Sequence, residues 1–348
     1  MDSIHTLTQL INQSNCHYQV FDLGRRILPI DNQEFAKVEQ GQQPYPYPLQ
    51  RQAKMAIVYW NESRQPWIWL LNFALDERGL LKPADVGQFI RYVLEAMGTR
   101  LTHQLDEQQQ QKLANNPFTF KPGEEKMAVL HSLIRADLVL PASQYYEHAQ
   151  HYFQGGLGWD NWQTVGLQGI TDICARLAKE QNHALLVKAL SHLPMQPLYA
   201  LLGALEHVNL TDKLSDRIAQ ITEDELKKAE PDLFLLSALI RALSGASGEQ
   251  LQQISSQLLA NEKLCHQEVL IGLAGRCWSV LAERSKAELF LIRLAQTNNQ
   301  TLFNQLFADL VMIPQLRMVL LPLLHSTPSP QLVEALTNLH NQTLGQNR

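Results

Sequence analysis

The feature that most constrains this chain is the spacing of its helix breakers after about residue 126. From Lys126 onward the apolar residues recur at helical spacing between these breaks. The breaks stand at Pro141, Gly155-Gly156, Pro194, Asn209, Pro231, Gly245, Pro314 and Pro328 to Pro330. Helices of about 10–18 residues joined by short loops must be neighbours in space. The spacing therefore predicts an all-α array of helical hairpins of the HEAT type over residues 126–348. Within it, Thr222-Glu223-Asp224-Glu225 fits a capping box and predicts a helix start.

An internal pattern, L-x-x-A-L, recurs in these helices. Its copies begin at Leu186, Leu201, Leu235 and Leu332, and a looser copy begins at Ile271. The starts at 201, 235 and 271 are 34 and 36 residues apart, which is a spacing typical of helical repeats. Alanine between larger apolar residues lets neighbouring helices approach closely. The pattern favours a repeat array, although leucine- and alanine-rich helices also produce such matches by chance.

The first 98 residues combine alternating and helical patterns and predict a small α+β domain, with a mainly antiparallel sheet and flanking helices. Strand-like runs occupy residues 18–23, 27–30, 53–60 and 67–75, and the last two form a hairpin with a long loop. A short first helix would be capped by Asp2 or Ser3. A second, strongly amphipathic helix would begin at Pro83 and end at Gly98, and would cover the sheet.

Residues 99–125 predict a polar linker between the two domains. The segment holds Asp106-Glu107 and four glutamines, followed by Asn115-Asn116-Pro117 and Pro122-Gly123. Such a composition, rich in polar and helix-breaking residues, is typical of a loop. The glutamine run fits the solvated face of a helix equally well.

Composition and motifs limit the function more than they define it. The 348 residues carry a net charge of −5 and a pI near 6.2, which disfavours a nucleic-acid partner. Phosphate-binding loops, nucleophile elbows and the H-E-x-x-H metal motif are absent from the sequence. His148 and His151 have a metal-like spacing, but a third ligand is not apparent nearby. We expect no cofactor and no metal, and a non-enzymatic role is favoured.

The cysteines indicate a reducing compartment. Cys16, Cys174, Cys265 and Cys277 lack C-x-x-C spacing, and three of them lie in apolar helical surroundings, so buried free thiols are expected. The first residues show no basic and apolar secretory signal, and no apolar run is long enough to span a membrane. We therefore expect a cytoplasmic protein with no membrane partner.

Three N-terminal segments contain the candidate binding residues. Phe21-Asp22-Leu23-Gly24-Arg25-Arg26 ends a strand with two guanidinium groups, which suit carboxylate or phosphate. Pro44-Tyr45-Pro46-Tyr47-Pro48-Leu49-Gln50-Arg51 predicts an extended strap that offers its tyrosines in a row. Leu75-Asp76-Glu77-Arg78-Gly79 predicts a charged turn. Each segment also has a purely structural interpretation. The candidates are Asp22, Arg25, Arg26, Tyr45, Tyr47, Arg51, Asp76, Glu77 and Arg78.

Taken together, the F-D-x-G-R-R, P-Y-P-Y-P-L-Q-R and L-D-E-R-G-L-L segments and the leucine-rich helical tail resemble a γ-proteobacterial family known only as a domain of unknown function. The resemblance covers the whole chain. It implies a bacterial cytoplasmic protein and carries over no activity, cofactor or catalytic residue. It also implies that the charged members of the three segments belong to one motif set, either an ionic cluster or a ligand-facing surface.

Three functions fit these observations. The leading hypothesis is a non-enzymatic scaffold that presents a helical groove and an N-terminal polar surface to a protein or peptide. The second is a binder of small anionic ligands, or an enzyme, with its site between the two domains. The third is a nucleic-acid binder of the HEAT type.

Overall fold

The chain folds into two compact units, each with its own core. The computed structural model describes residues 4–98, 100–103, 106–247, 249–324 and 329–346. One unit comprises Met1–Met127 with Met312–Pro314, and the other comprises Ala128–Val311 with Gln315–Arg348. The prediction that Asp2 or Ser3 caps the first helix is wrong, because Thr6 is its cap and accepts from the Gln9 amide at 3.2 Å. Asp2 and Ser3 lie outside the described residues, as does Thr99, the first residue of the predicted linker.

The first unit contains a four-stranded antiparallel sheet with helices around it, as predicted. Its elements are α1 (Leu7–Gln13), β1 (His17–Asp22), β2 (Leu28–Ile30), α2 (Asn32–Glu39), β3 (Gln52–Trp60), β4 (Trp67–Ala74), α3 (Pro83–Met97) and α4 (Glu107–Ala114). The strand order is β2-β1-β3-β4. Each neighbouring pair is antiparallel. Strand-like runs of apolar residues separated by turn residues were sufficient to predict a mainly antiparallel sheet.

The core of this unit lies between the sheet and α3. Trp69 and Phe73 on β4 contact Phe89 on α3 in edge-to-face geometry, with ring centroids 5.6 and 6.3 Å apart. Phe89 is fully buried. The helix ends at Gly98, whose φ of +62° suits a residue without a side chain. The periodicity and the terminating glycine therefore predicted α3 correctly.

The polar segment predicted as a linker is folded against the sheet. Its glutamine run forms α4, which is the helical alternative. Further along, Phe118 is buried, and its ring lies 5.4 Å from that of Phe73. The Asn72 amide donates to the Phe118 carbonyl at 2.7 Å, and the Phe120 amide donates to the Leu70 carbonyl at 3.1 Å. This segment therefore extends the edge of the sheet at β4.

A run of helices follows from residue 124. They are α5 (Glu124–Asp137), α6 (Tyr146–Phe153), α7 (Leu167–Cys174), α8 (Asn182–Ala189), α9 (Met195–Leu205), α10 (Asp212–Leu226), α11 (Leu233–Ala242), α12 (Glu249–Ala260), α13 (Gln267–Arg276), α14 (Arg284–Gln296), α15 (Gln300–Met312), α16 (Pro314–Leu323) and α17 (Pro330–Gln346). Short 3₁₀ turns lie between some of them, including one at Trp159–Thr164. No described helix combines the length and the apolar character needed to cross a membrane.

Helices α7 to α14 of the second unit form two layers, because each of them packs on the helix after next. In one layer α7 contacts α9, α9 contacts α11 and α11 contacts α13; in the other α8, α10, α12 and α14 contact one another in the same way. Hydrogen bonds between layer neighbours join positions about one hairpin apart. The Leu210 amide donates to the Gly245 carbonyl at 2.9 Å, 35 residues on.

Two sequence predictions about these helices are wrong, one on the repeat and one on a helix start. The looser copy at Ile271 is shifted by one residue, because Ile271 is 40% exposed and Leu270 is fully buried. The position of Leu235 is therefore taken by Leu270, 35 residues later. Thr222 does not start a helix, since it lies near the end of α10 and its hydroxyl donates to the Ile218 carbonyl at 2.8 Å. Hydroxyl side chains make this bond inside helices as well as capping them.

Candidate functional site

The first candidate is a buried carboxylate at the end of β1. Asp22 Oδ1 accepts hydrogen bonds from the Tyr45 hydroxyl at 2.8 Å and from the Gly24 amide at 3.2 Å. Its Oδ2 accepts from the Arg25 amide at 3.0 Å. We call Asp22, Gly24, Arg25, Tyr45 and Pro48 the Asp22 latch, because they join the end of a strand to the proline-tyrosine strap.

The Arg25 side chain fastens the other part of the strap. It is fully buried, and its Nε donates to the Pro48 carbonyl at 2.9 Å. Lys126 Nζ donates to the Leu23 carbonyl and, at 2.9 Å, to the Gly24 carbonyl. The turn after β1 therefore has its carbonyl and carboxylate oxygens occupied by donors from distant parts of the first unit.

Burial is the main influence on the charge of Asp22. It raises the pKa of this carboxyl to about 6, while the hydrogen bonds from Tyr45, Arg25 and Gly24 oppose the rise. Burial also raises the pKa of the Tyr45 hydroxyl well above its usual value, and the neighbouring Asp22 adds to the rise. Tyr45 therefore stays protonated and can donate to Asp22.

The segments 21–26 and 44–51 were expected to present their arginine and tyrosine side chains outward, and this expectation is wrong for three residues. Arg25 and Tyr45 are fully buried, and Arg26 is buried as well. The reason is the three-donor environment of Asp22, which draws the turn and the strap inward. Tyr47 is only half-buried. The predicted binding role of these residues stays a prediction, but in this conformation Arg25 and Tyr45 are not accessible to a ligand.

The remaining candidates lie near the surface. Asp76 Oδ1 accepts from the Arg78 and Leu80 amides at 2.9 and 2.8 Å, which closes the charged turn, and these bonds lower the pKa of the carboxyl. Glu77 and Arg78 are exposed. Arg51 is exposed, with a φ of +60°. Its carbonyl accepts from the Leu75 amide at 2.9 Å, so the turn and the end of the strap are adjacent.

The second candidate lies on the layer that α9, α11 and α13 form. Large apolar side chains stand here with part of their surface open: Phe234 is 61% exposed and Ile271 40% exposed, while Tyr199 is half-buried. Met195, at the start of α9, is 41% exposed. The Phe234 ring lies 6.2 Å from that of His266. Tyr199 and Phe234 are 35 residues apart on the neighbouring helices α9 and α11, and Ile271 lies on the next helix of the layer, α13.

A charged row lies at the carboxyl-terminal ends of the same three helices. Glu206 is buried at the end of α9, and its Oε1 accepts from Arg276 Nε at 2.9 Å. Arg241 Nε lies 3.6 Å from the Oε2 of the same carboxylate. His207 Nε2 lies 3.4 Å from Oε1. We call Tyr199, Phe234, Ile271, Glu206, Arg241 and Arg276 the array face.

Sequence reasoning missed the charged row, although a signal was present. Glu206, Arg241 and Arg276 are each 35 residues apart, the same interval that separates hydrogen-bonded helices in this unit. An equal spacing of charged residues within an apolar repeat would have found it. The partly exposed Phe234 and Ile271 could not be found in this way, because exposure depends on the helix phase.

The sulfur and imidazole groups have structural positions. Cys16, Cys174 and Cys277 are buried free thiols, and Cys265 is half-buried. Burial raises the pKa of Cys265 to about 11. His148 Nε2 contacts the Thr164 hydroxyl at 3.1 Å. Among the described residues, no group of three or more histidine, cysteine or acidic side chains has a geometry that could hold a metal ion.

Fold and sites together define a protein of two units. One is an α+β unit that contains a buried, hydrogen-bonded carboxylate, and the other is an all-α unit of stacked helices. The chain belongs to the family described as a protein of unknown function (DUF3549), whose model matches residues 2–340. Neither the curated proteins nor the solved structures contain a match to this chain.

Proposed function

We propose that this protein is a non-enzymatic binding protein whose HEAT-like helical array presents the array face to a protein or peptide partner. The observation that carries the proposal is the exposure of Phe234. A large aromatic side chain left 61% open to solvent on one layer of an array is typical of an interaction surface.

The charges of the array face favour an acidic segment flanked by apolar residues. Arg241 and Arg276 are 37% and 21% exposed at their side chains, whereas the one carboxylate that they share, Glu206, is 8% exposed. Two cations therefore compete for one buried anion. An incoming carboxylate would pair with the guanidinium groups, while an apolar side chain of the same segment would pack on Phe234.

A bacterial, cytoplasmic setting belongs to the same proposal. Four free thiols, three of them buried, support a reducing compartment, because such thiols persist where disulfides do not form. The family membership leaves the partner open.

The test is affinity purification of the tagged full-length protein followed by mass spectrometry. We expect Phe234→Ser and Arg241→Met to lose a partner that the wild type retains. Met318→Ser is the matched control, because Met318 on α16 is 79% exposed and lies outside the array face. Equal recovery of every protein with wild type and Phe234→Ser would contradict the proposal.

A further inference from the structure

A cavity of about 420 Å³ lies in the second unit, between α6, the 3₁₀ turn at Trp159–Thr164 and α8. This volume falls within the range of small-molecule sites. Its lining combines apolar side chains with two side chains of opposite charge. The residues that matter to its chemistry are Phe153, Trp159, Glu180, Leu185, Lys188 and His192.

One wall is an indole held in place by its neighbours. The Trp159 ring stacks on the His192 ring, with centroids 5.2 Å apart and planes inclined by 14°. The Tyr152 hydroxyl donates to the Trp159 carbonyl at 2.9 Å. Gly155 has a φ of +82°, and a Cβ there would lie 3.2 Å from the indole. The chain therefore uses a glycine to bring its backbone against this ring.

A carboxylate on the rim is also held in place. Glu180 Oε2 accepts from Gln150 Nε2 at 3.0 Å and from the Tyr146 hydroxyl at 3.2 Å. Behind them Asn182 is fully buried, donates to the Tyr146 hydroxyl at 2.8 Å and accepts from Gln150 at 2.9 Å. This network orients an exposed carboxylate without a cation.

The backbone beneath that carboxylate is in an uncommon conformation. Glu180 and Gln181 have φ values of +49° and +57°, in the left-handed region that residues with side chains seldom adopt. Two such residues in succession cost about 1–3 kcal/mol each, and strain of this kind is frequent at binding sites. The strained pair fixes the start of α8, on which the cavity's cation stands.

That cation is Lys188. It is exposed on α8 and lines the same cavity as Glu180. Within the part of the chain that the structure describes, neither residue forms an ion pair. Two opposite charges therefore line one cavity without neutralising each other, which suits a ligand that carries both charges.

We propose that this cavity binds a basic amino acid, either free or at the carboxyl terminus of a peptide. Its guanidinium or ammonium group pairs with Glu180 and lies beside the stacked Trp159 and His192 rings. Its aliphatic stem covers Phe153 and Leu185. Its carboxylate pairs with Lys188.

Titration calorimetry with the full-length protein tests the charges of the ligand. L-arginine is the probe. Agmatine keeps the guanidinium group but lacks the carboxylate, and L-citrulline keeps the carboxylate but has a neutral side chain. We expect L-arginine to bind about tenfold more tightly than agmatine and at least tenfold more tightly than L-citrulline. The tripeptide Gly-Gly-Arg and its amide distinguish the two sources of the ligand. A site for a peptide carboxyl terminus should bind the free-acid tripeptide about as tightly as L-arginine and the amide more weakly. A site for the free amino acid should bind neither tripeptide.

Variants assign the charges to residues. Lys188→Met should weaken L-arginine binding about tenfold and leave agmatine unchanged, and Glu180→Gln should weaken both. Glu147→Gln on α6 and Lys179→Met are the matched controls, because both residues are exposed and neither lines the cavity. The proposal is overturned if neither L-arginine nor Gly-Gly-Arg binds at about 10 mM, or if Lys188→Met leaves L-arginine affinity unchanged.

Discussion

The protonation of Asp22 depends on the balance between its burial and its hydrogen bonds. Its ionised form loses hydration, while three donors, from Tyr45, Gly24 and Arg25, and the positive charge of Lys126 favour it. Burial outweighs these bonds, because the pKa of the carboxyl is raised to about 6. Between about pH 4 and pH 6 the carboxyl is therefore mostly protonated in the folded state, whereas in the unfolded chain it is mostly ionised.

This balance predicts a pH-dependent stability. An Asp22 pKa that rises from 3.8 to about 6 on folding contributes stability that is complete below about pH 4 and lost as the pH rises through 6. The contribution is about 3 kcal/mol. We expect Asp22→Asn to remove this part of the pH dependence, as measured by urea unfolding between pH 4 and 8. Wild-type and variant curves that run parallel would contradict the assignment.

The hydroxyl that donates to Asp22 gives a second prediction at this scale. Tyr45→Phe removes the 2.8 Å hydrogen bond from a fully buried carboxyl, and we expect a loss of about 1–3 kcal/mol in unfolding free energy. Tyr92→Phe on α3 is the control, and it should change stability by less than about 0.5 kcal/mol. Equal effects of the two substitutions in thermal or urea unfolding would exclude the latch.

Residue roles of this kind could be predicted only in part. The sequence placed Asp22 and Arg25 in one motif set and Tyr45 among the candidate binding residues, and the structure brings the three together. It could not show that they point inward, because the Pro48 carbonyl that Arg25 reaches lies 23 residues along the chain. Guanidinium groups next to a strand end are compatible with both a surface and a buried anchor.

At the scale of elements, packing distances decide where small residues are required. In α7, a Cβ at Gly169 would lie 2.6 Å from the Tyr145 carbonyl oxygen and 2.9 Å from the Ala149 side chain. In α9, a Cβ at Gly203 would meet nothing within 4 Å. The two glycines look alike in the sequence, since both interrupt apolar helices, but only Gly169 is required by close helix packing.

The two glycines predict opposite results for the same substitution. Gly169→Ala should destabilise the protein by about 1–3 kcal/mol, because the backbone of α6 must move to admit a methyl group. Gly203→Ala should stabilise it by about 0.5–1 kcal/mol through the lower entropy of the unfolded chain. Chemical denaturation of the two variants measures both, and a stabilised Gly169→Ala variant would show that the α6–α7 packing is looser than described.

Elements were predicted more reliably than their boundaries. Breaks and periodicity placed α3 and most helices after residue 126, because these signals act within one helix. The register at Ile271 and the role of Thr222 were wrong, since both depend on the neighbouring helix rather than on local sequence. Residues 99–125 were predicted to be a linker for the same reason: the contact of Phe118 with Phe73 joins positions far apart in the chain.

At the scale of the whole molecule, charge separates the remaining functional alternatives. The chain carries 29 basic and 34 acidic residues, and the two arginines of the array face share one buried glutamate. Nucleic-acid binders of ordinary affinity instead place several cations along a groove to displace counterions.

We therefore expect no binding of a labelled 20-nucleotide duplex or single strand at about 150 mM salt, as measured by fluorescence anisotropy. Any weak binding at low salt should vanish as salt rises and should be unaffected by Arg241→Met. Binding that persists at physiological salt and weakens in the Arg241→Met variant would favour the nucleic-acid alternative instead.

The interval of 35 residues that relates Glu206, Arg241 and Arg276 also limits how the gene can change length. A single codon inserted within α11 ahead of Arg241 would turn Arg241 by about 100° around the helix, and Glu206 would keep Arg276 as its guanidinium partner. Loss or duplication of about 35 codons would keep the register. Within the helices of this stretch, tolerated changes in length should therefore come as whole hairpins, whereas the loops between them accept single residues.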